Sequence, residues 1–136
     1  MAALDTNVLV RWLTDDDADQ CALVDGLLDV TAEKEQRLFV SVTVVLETEW
    51  VLRSRYRFDK PALITALDAL LGVAELEFQH ESALEQALWH FKQLGSADFA
   101  DCLHLALAAE AGRLPLWTFD ARAAKLEGVA LLGAQP

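Results

Sequence analysis

The residues with the most chemical content in this sequence are carboxylates placed at the starts of apolar helices. From Ser96 to Leu126 the chain reads SADFADCLHLALAAEAGRLPLWTFDARAAKL. Asp98 and Asp101 stand three residues apart, so on a helix they share one face near its N-terminal end. Behind them Leu103, Leu105, Ala106, Leu107 and Ala109 are apolar, the mark of a helix packed into a core. Asp120 follows a short strand candidate, Leu116–Thr118. Each acid also has a purely structural explanation. Asp98 can serve as an N-cap with Asp101 at the third helical position, and Asp120 can cap a helix over Asp120–Leu126.

The start of the chain repeats the arrangement, which strengthens the chemical reading. Ala2–Leu4 is a strand candidate, Asp5-Thr6-Asn7 is polar, and Val8, Leu9 and Leu13 begin a helical period. In open parallel α/β sheets, ligands gather at the carboxyl ends of strands. Asp5 and Asp120 are both placed for that edge. Acids converging there repel one another and lose hydration unless they are protonated or bound to a cation, and a divalent metal is the simplest resolution.

A further acid comes from the predicted helix Thr43–Tyr56. Glu47 shares a face with Val44, Trp50 and Val51, so it is expected in apolar surroundings, where a carboxylate needs a partner or a cation. Glu49 has Arg53 four residues on, the favourable order for a solvated ion pair. Glu47 is therefore the site candidate and Glu49 the surface residue. His104, one turn beyond Asp101, is expected on the helix face near the site without a catalytic part. His80 and His90 show no partners in the sequence.

Four motifs in order carry a family resemblance. L-D-T-N at the start, L-E-x-x-W-V-L over Leu46–Leu52, D-F-A-D-C-L-H-L-A from Asp98, and T-F-D at Thr118–Asp120 resemble the PIN domain. More narrowly, they resemble the small VapC-like ribonuclease toxins of toxin–antitoxin pairs. The resemblance covers essentially the whole chain. It implies a metal-dependent endoribonuclease in which Asp5, Glu47, Asp101 and Asp120 hold one or two Mg²⁺ or Mn²⁺ ions. It also favours Asp101 over Asp98, implies a cognate antitoxin, and is the sole ground for expecting a homodimer. Asp98, Thr6, Asn7 and Thr118 are expected to support the site by orienting ligands or waters, a part that hydroxyls and amides suit.

Composition bounds the alternatives. At 136 residues and 54% hydrophobic content, a single domain over 1–136 with an ordinary core is expected, and disorder is not. No cationic, apolar signal region and no apolar stretch of bilayer length is apparent, so a cytoplasmic location without membrane contact is the expectation. Cys21 and Cys102 lack metal-type spacing and read as small core residues. The net charge of −11 disfavours non-specific affinity for RNA. It suits a basic protein partner. Arg53, Arg55, Arg57 and Lys60 form a local basic run, readable as a phosphate track or as a solvated helix end.

The elements that position the acids follow from periodicity. Thr14 is expected to cap a long helix with Asp17 in the reciprocal position. Leu38–Ser41 reads as a strand. Asp59 with Pro61 opens a helix ending at Gly72, Val73–Phe78 reads as a strand, and Ser82–Leu94 as a helix stopped by Gly95. Val129–Leu132 is the last strand. Short strands alternating with helices predict a three-layer α/β/α domain around a short-stranded parallel sheet, with right-handed crossovers. An aspartyl phosphatase would place a second acid where Asn7 stands, and a receiver-like domain would need an early acid pair and a late lysine. The non-enzymatic rival is a PIN-like module that binds protein or RNA without cleaving it.

Overall fold

The computed structural model describes residues 2–93 and 95–133, and the chain divides into two compact units, Met1–Gln79 and His80–Pro136.

The first unit contains α1 (Thr6–Thr14), α2 (Ala18–Glu33), β1 (Leu38–Val40), α3 (Val42–Ser54), α4 (Lys60–Leu71) and β2 (Leu76–Phe78). Strands β1 and β2 pair in parallel with Leu38 opposite Leu76 and Val40 opposite Phe78. All four of these side chains are buried, whereas Phe39 and Glu77 point outward with the period of two that a pleated strand imposes. Ala3 bridges Phe39, so the expected strand Ala2–Leu4 runs alongside β1 as a single parallel bridge. Helix α1 packs on α2 and α3, and α3 packs on α4. Leu9, Val45, Leu52, Leu63, Leu67 and Leu70 form the core of this unit.

Two helix boundaries differ from expectation. Thr14 ends α1, its hydroxyl donating to the Val10 carbonyl at 2.7 Å, and Asp17 is the N-cap of α2, accepting from the Gln20 N–H at 3.0 Å. A threonine hydroxyl can bond back one turn or forward to a new helix, and the sequence alone does not choose. The strand expected over Val73–Phe78 is confined to Leu76–Phe78, after a turn that closes α4 at Gly72. The expected cap at Asp59 is present, accepting from the Ala62 N–H at 3.0 Å.

The second unit contains α5 (Glu81–Phe91), α6 (Phe99–Glu110), β3 (Leu116–Thr118), a 3₁₀ turn (Ala123–Lys125) and β4 (Val129–Leu131). Helix α5 ends at Phe91, and the expected end at Leu94 lies outside the described residues. Helices α5 and α6 pack through Leu84, Leu88, Phe91, Phe99, Cys102 and Leu103, all buried. Phe91 and Phe99 meet edge to face at 5.8 Å, a geometry worth about 0.5–1.5 kcal/mol beyond their burial. Helix α6 closes where Gly112, with φ of 70°, lets the Arg113 N–H reach back to the Ala108 carbonyl at 2.9 Å.

Strands β3 and β4 pair in parallel, Leu116 opposite Val129 and Thr118 opposite Leu131. The residues between them form only the 3₁₀ turn, where a longer helix from Asp120 to Leu126 was expected. Asp120 accepts at Oδ1 from the Arg122 N–H at 2.8 Å, and this tight turn leaves room for a single turn of helix before β4. Among the described residues, ladder hydrogen bonds run within each unit, β1 with β2 and β3 with β4. No helix among the described residues is long and apolar enough to cross a membrane. Cys21 and Cys102 are both free and buried, as core thiols are expected to be.

Candidate metal centre

In the first unit, buried Leu4 leads into Asp5, whose extended backbone stops the strand-like segment and starts α1. Its Oδ1 accepts from the Val8 N–H at 3.2 Å, so one carboxylate oxygen satisfies a helix-end amide. Asp5 is exposed, Thr6 is buried and Asn7 is exposed. Asp5 and Asn7 open onto a surface pocket of about 330 Å³ shared with Val8, Arg11, Gln20 and Leu23.

Helix α3 reverses the expected environments of its two glutamates. Glu47 is exposed, and Glu49 is 1% exposed with its Oε1 accepting from the Arg53 Nε at 2.9 Å. The expectation placed Glu47 on the packed face because Val44, Trp50 and Val51 surround it in the helical period. In the structure Trp50 is exposed and Val44 and Val51 are half-buried, so that stripe is an outer one. The packed face runs through Val45, Thr48, Glu49 and Leu52. Glu49 tolerates burial because its partner Arg53 supplies both charge and hydrogen bond. Glu47 therefore does not stand on a packed face, and its place in the site rests on the motif it belongs to. Arg53 of the basic run is committed to Glu49, while Arg55 and Arg57 are exposed.

The second unit gathers its acids more tightly. Asp98 is the N-cap of α6, its Oδ1 accepting from the Asp101 N–H at 3.1 Å. The carboxyl of Asp101 is pushed up to about 6, by burial first, then by the hydrogen-bonded Asp98 and its charge, and by the charge of Asp120; His104 opposes the shift. Thr118 and Asp120 act together: the Thr118 Oγ1 accepts from the Asp120 N–H at 3.0 Å, and Asp120 in turn holds the Arg122 amide. His104 is exposed on α6.

The side chains named above offer carboxylate, hydroxyl and amide oxygens, the donors that hard divalent cations prefer. Asp5 and Glu47 belong to the first unit, and Asp98, Asp101, Thr118 and Asp120 to the second. Among the described residues there is no group of three or more His, Cys, Asp or Glu that could hold a metal ion.

The structure adds groups that the sequence did not reveal. His80 is not unpartnered: its Nδ1 lies 2.9 Å from the Glu110 Oε1, joining the start of α5 to the end of α6. Arg11, Asp16, Thr14 and Tyr56 form a network in which the Tyr56 hydroxyl donates to Asp16 at 2.8 Å. No local spacing announces a partner so distant in the chain.

Comparison with known proteins supplies the remaining finding. A sequence model of the PIN domain matches residues 2–129. The VapC ribonuclease of Aquifex aeolicus is 23% identical over 127 residues, covering 93% of this chain and 92% of that protein. The crystal structure of Mycobacterium tuberculosis VapC20, a sarcin–ricin loop cleaving toxin, aligns at a TM-score of 0.40 and 20% identity, covering 95% of this chain and 97% of that one.

Proposed function

Because this chain belongs to the PIN domain family, whose α/β/α fold it shares, we propose that it is a metal-dependent endoribonuclease hydrolysing RNA phosphodiester bonds, the toxin of a toxin–antitoxin pair. We read residues 1–136 as one PIN domain, since the family match runs through both compact units. The observation that carries the reading is the PIN-domain match over residues 2–129. The near full-length likeness to a ribonuclease supports the same assignment.

In this proposal Asp5, Glu47, Asp101 and Asp120 hold Mg²⁺ or Mn²⁺. A bound divalent ion lowers the pKa of water and offsets charge on the scissile phosphate. Asp98 positions Asp101 by fixing the first turn of α6 through its cap. Thr118 positions Asp120 by holding its backbone amide. Thr6 and Asn7, in the first turn of α1, orient neighbouring ligands or water. The acidic surface complements a basic antitoxin, whose encounter it would steer. A homodimer and a cytoplasmic location complete the proposal.

Two measurements test it. Mn²⁺ titrated against thermal stability should stabilise the wild type and leave Asp5→Asn nearly unresponsive; equal responses would remove the centre. Structured RNA incubated with protein and Mn²⁺ should be cut, and EDTA should stop the cutting. Absence of cleavage under any condition would favour the silent binding module.

A further inference from the structure

Arg122 makes two hydrogen bonds that tie together separate segments of the second unit. Its backbone N–H donates to the Asp120 Oδ1 at 2.8 Å, and its guanidinium Nη2 donates to the Ser96 carbonyl at 3.0 Å, 26 residues away in the chain. Each end belongs to a segment that carries acids proposed for the site. The pairing of β3 with β4 runs as far as Thr118, whose carbonyl accepts from the Leu132 N–H at 2.7 Å, so Asp120 lies beyond the last bond of the ladder. Ser96 stands two positions before Asp98, the cap of α6. It is buried, and its hydroxyl donates to the Phe91 carbonyl at 3.0 Å, which makes it a fixed point of attachment. No spacing in the sequence marks Arg122 for this part.

A small divalent ion takes its oxygen ligands at about 2.0–2.2 Å, so acids delivered by separate segments serve only if those segments keep a fixed spacing. We propose that Arg122 is a positioning residue of the metal centre, a brace that holds the Asp120 turn to the segment from which α6 starts and so keeps Asp120 in register with Asp101. This rests on the metal-dependent ribonuclease reading. A guanidinium suits the part, because it is always charged and its hydrogen bond to a carbonyl is stronger than that of a neutral donor. The same charge separates bracing from a simpler effect. A fixed cation repels a metal ion, so an arginine acting through its charge alone would weaken metal binding, and its removal would tighten it. Bracing predicts the opposite sign.

Binding of Mn²⁺ alone, followed by the electron paramagnetic resonance signal of the free ion, reads the brace without RNA or cleavage. Asp120→Asn gives the background from other surface carboxylates. Arg122→Ala deletes the guanidinium and keeps the backbone amide that Asp120 uses, so the link to Ser96 is what it removes. Its Kd for Mn²⁺ should rise about tenfold or more, the usual loss when a group that orients a metal ligand is removed. Arg122→Lys keeps a donor and the charge and should recover most of the affinity. Arg113→Ala removes an equal charge from an exposed residue after α6 and should bind Mn²⁺ as wild type does. The metal-free thermal midpoint of Arg122→Ala should stay within about 5 °C of wild type, since Arg122 is exposed. Unchanged or tighter Mn²⁺ binding by Arg122→Ala would overturn the brace and leave the metal centre standing. An equal loss in Arg113→Ala would assign the effect to overall charge and overturn it too. So would a large fall in the metal-free midpoint of Arg122→Ala that Arg122→Lys does not restore, which would reduce Arg122 to a staple of the fold. A wild type that binds no Mn²⁺ would remove the centre itself, and the ribonuclease reading together with the brace.

Discussion

Helices α1 and α6 open on the same kind of cap and differ in the residue that the cap addresses. Each is capped by an aspartate whose Oδ1 accepts from the amide three residues on, Val8 in α1 and Asp101 in α6. In α1 the third position, Val8, is apolar, so the cap crowds no second carboxyl. In α6 the third position is itself an acid, so the cap that completes the helix also crowds a second carboxyl and makes its ionisation costly. A capping aspartate alone is therefore weak evidence of chemistry. An acid added at the position the cap addresses is arranged against its own ionisation, which makes Asp101 a functional-site candidate.

The largest effect that separates the two helix starts should be catalytic. Asp101→Asn is expected to lower Mn²⁺-dependent RNA cleavage by about a hundredfold or more, in line with the cost of removing one electrostatic contributor at an active site. Val8→Ala should leave the cleavage rate within a few-fold of wild type. Equal losses in the two variants would erase the distinction.

The two glutamates of α3 sharpen the same contrast between structural and chemical acids. Glu49→Ala removes the partner of Arg53 inside a packed face and should cost about 1–3 kcal/mol of stability, measured by urea unfolding. Glu47→Gln should change stability by less than about 0.5 kcal/mol, as exposed substitutions do, yet lose metal-dependent cleavage. A stable, active Glu47→Gln would remove Glu47 from the centre.

Caps come next in size. Asp5→Ala and Asp98→Ala should each lose about 1 kcal/mol from the cap. The two are not equivalent, because Asp98→Ala also relieves Asp101. Asp98→Asn keeps the cap and removes the charge, so a carbon-detected NMR titration should find the Asp101 carboxyl well below its wild-type position near 6. An unchanged Asp101 would mean that burial alone sets its titration.

The pH dependence of stability has opposite signs at two aspartates. The folded Asp101 holds its proton up to about pH 6, above its unfolded range. Its contribution is therefore fully present below the unfolded pKa and is lost as pH rises through about 4 to 6. Asp16 is lowered, chiefly by the Tyr56 hydroxyl, with help from Thr14 and Arg11. Its contribution is present above the ordinary carboxylate range and is lost as pH falls through its lowered folded value. Asp101→Asn should flatten the first slope and Asp16→Asn the second, read from thermal midpoints between pH 3 and 7.

Much of this molecule is written in local pattern. The caps at Asp5, Asp59 and Asp98, the closing turn at Gly112 and the strands at Leu38 and Leu116 follow from short-range chemistry that a linear reading contains. The acids proposed for the site, at positions 5, 47, 101 and 120, come from motifs in the linear sequence. What the sequence could not rank was environment. Val44, Trp50 and Val51 describe a helical stripe as apolar as the one through Val45, Thr48 and Leu52, and periodicity cannot say which of two such stripes meets a neighbouring helix. Tertiary packing chose the second, burying Glu49 against Arg53 and exposing Glu47. The same holds for Tyr56 with Asp16 and His80 with Glu110, pairs separated in the chain and joined by folding. Residue type and spacing decide what a side chain can do. Burial and proximity, set by which faces pack, decide which charges must be partnered and which carboxyls resist ionisation.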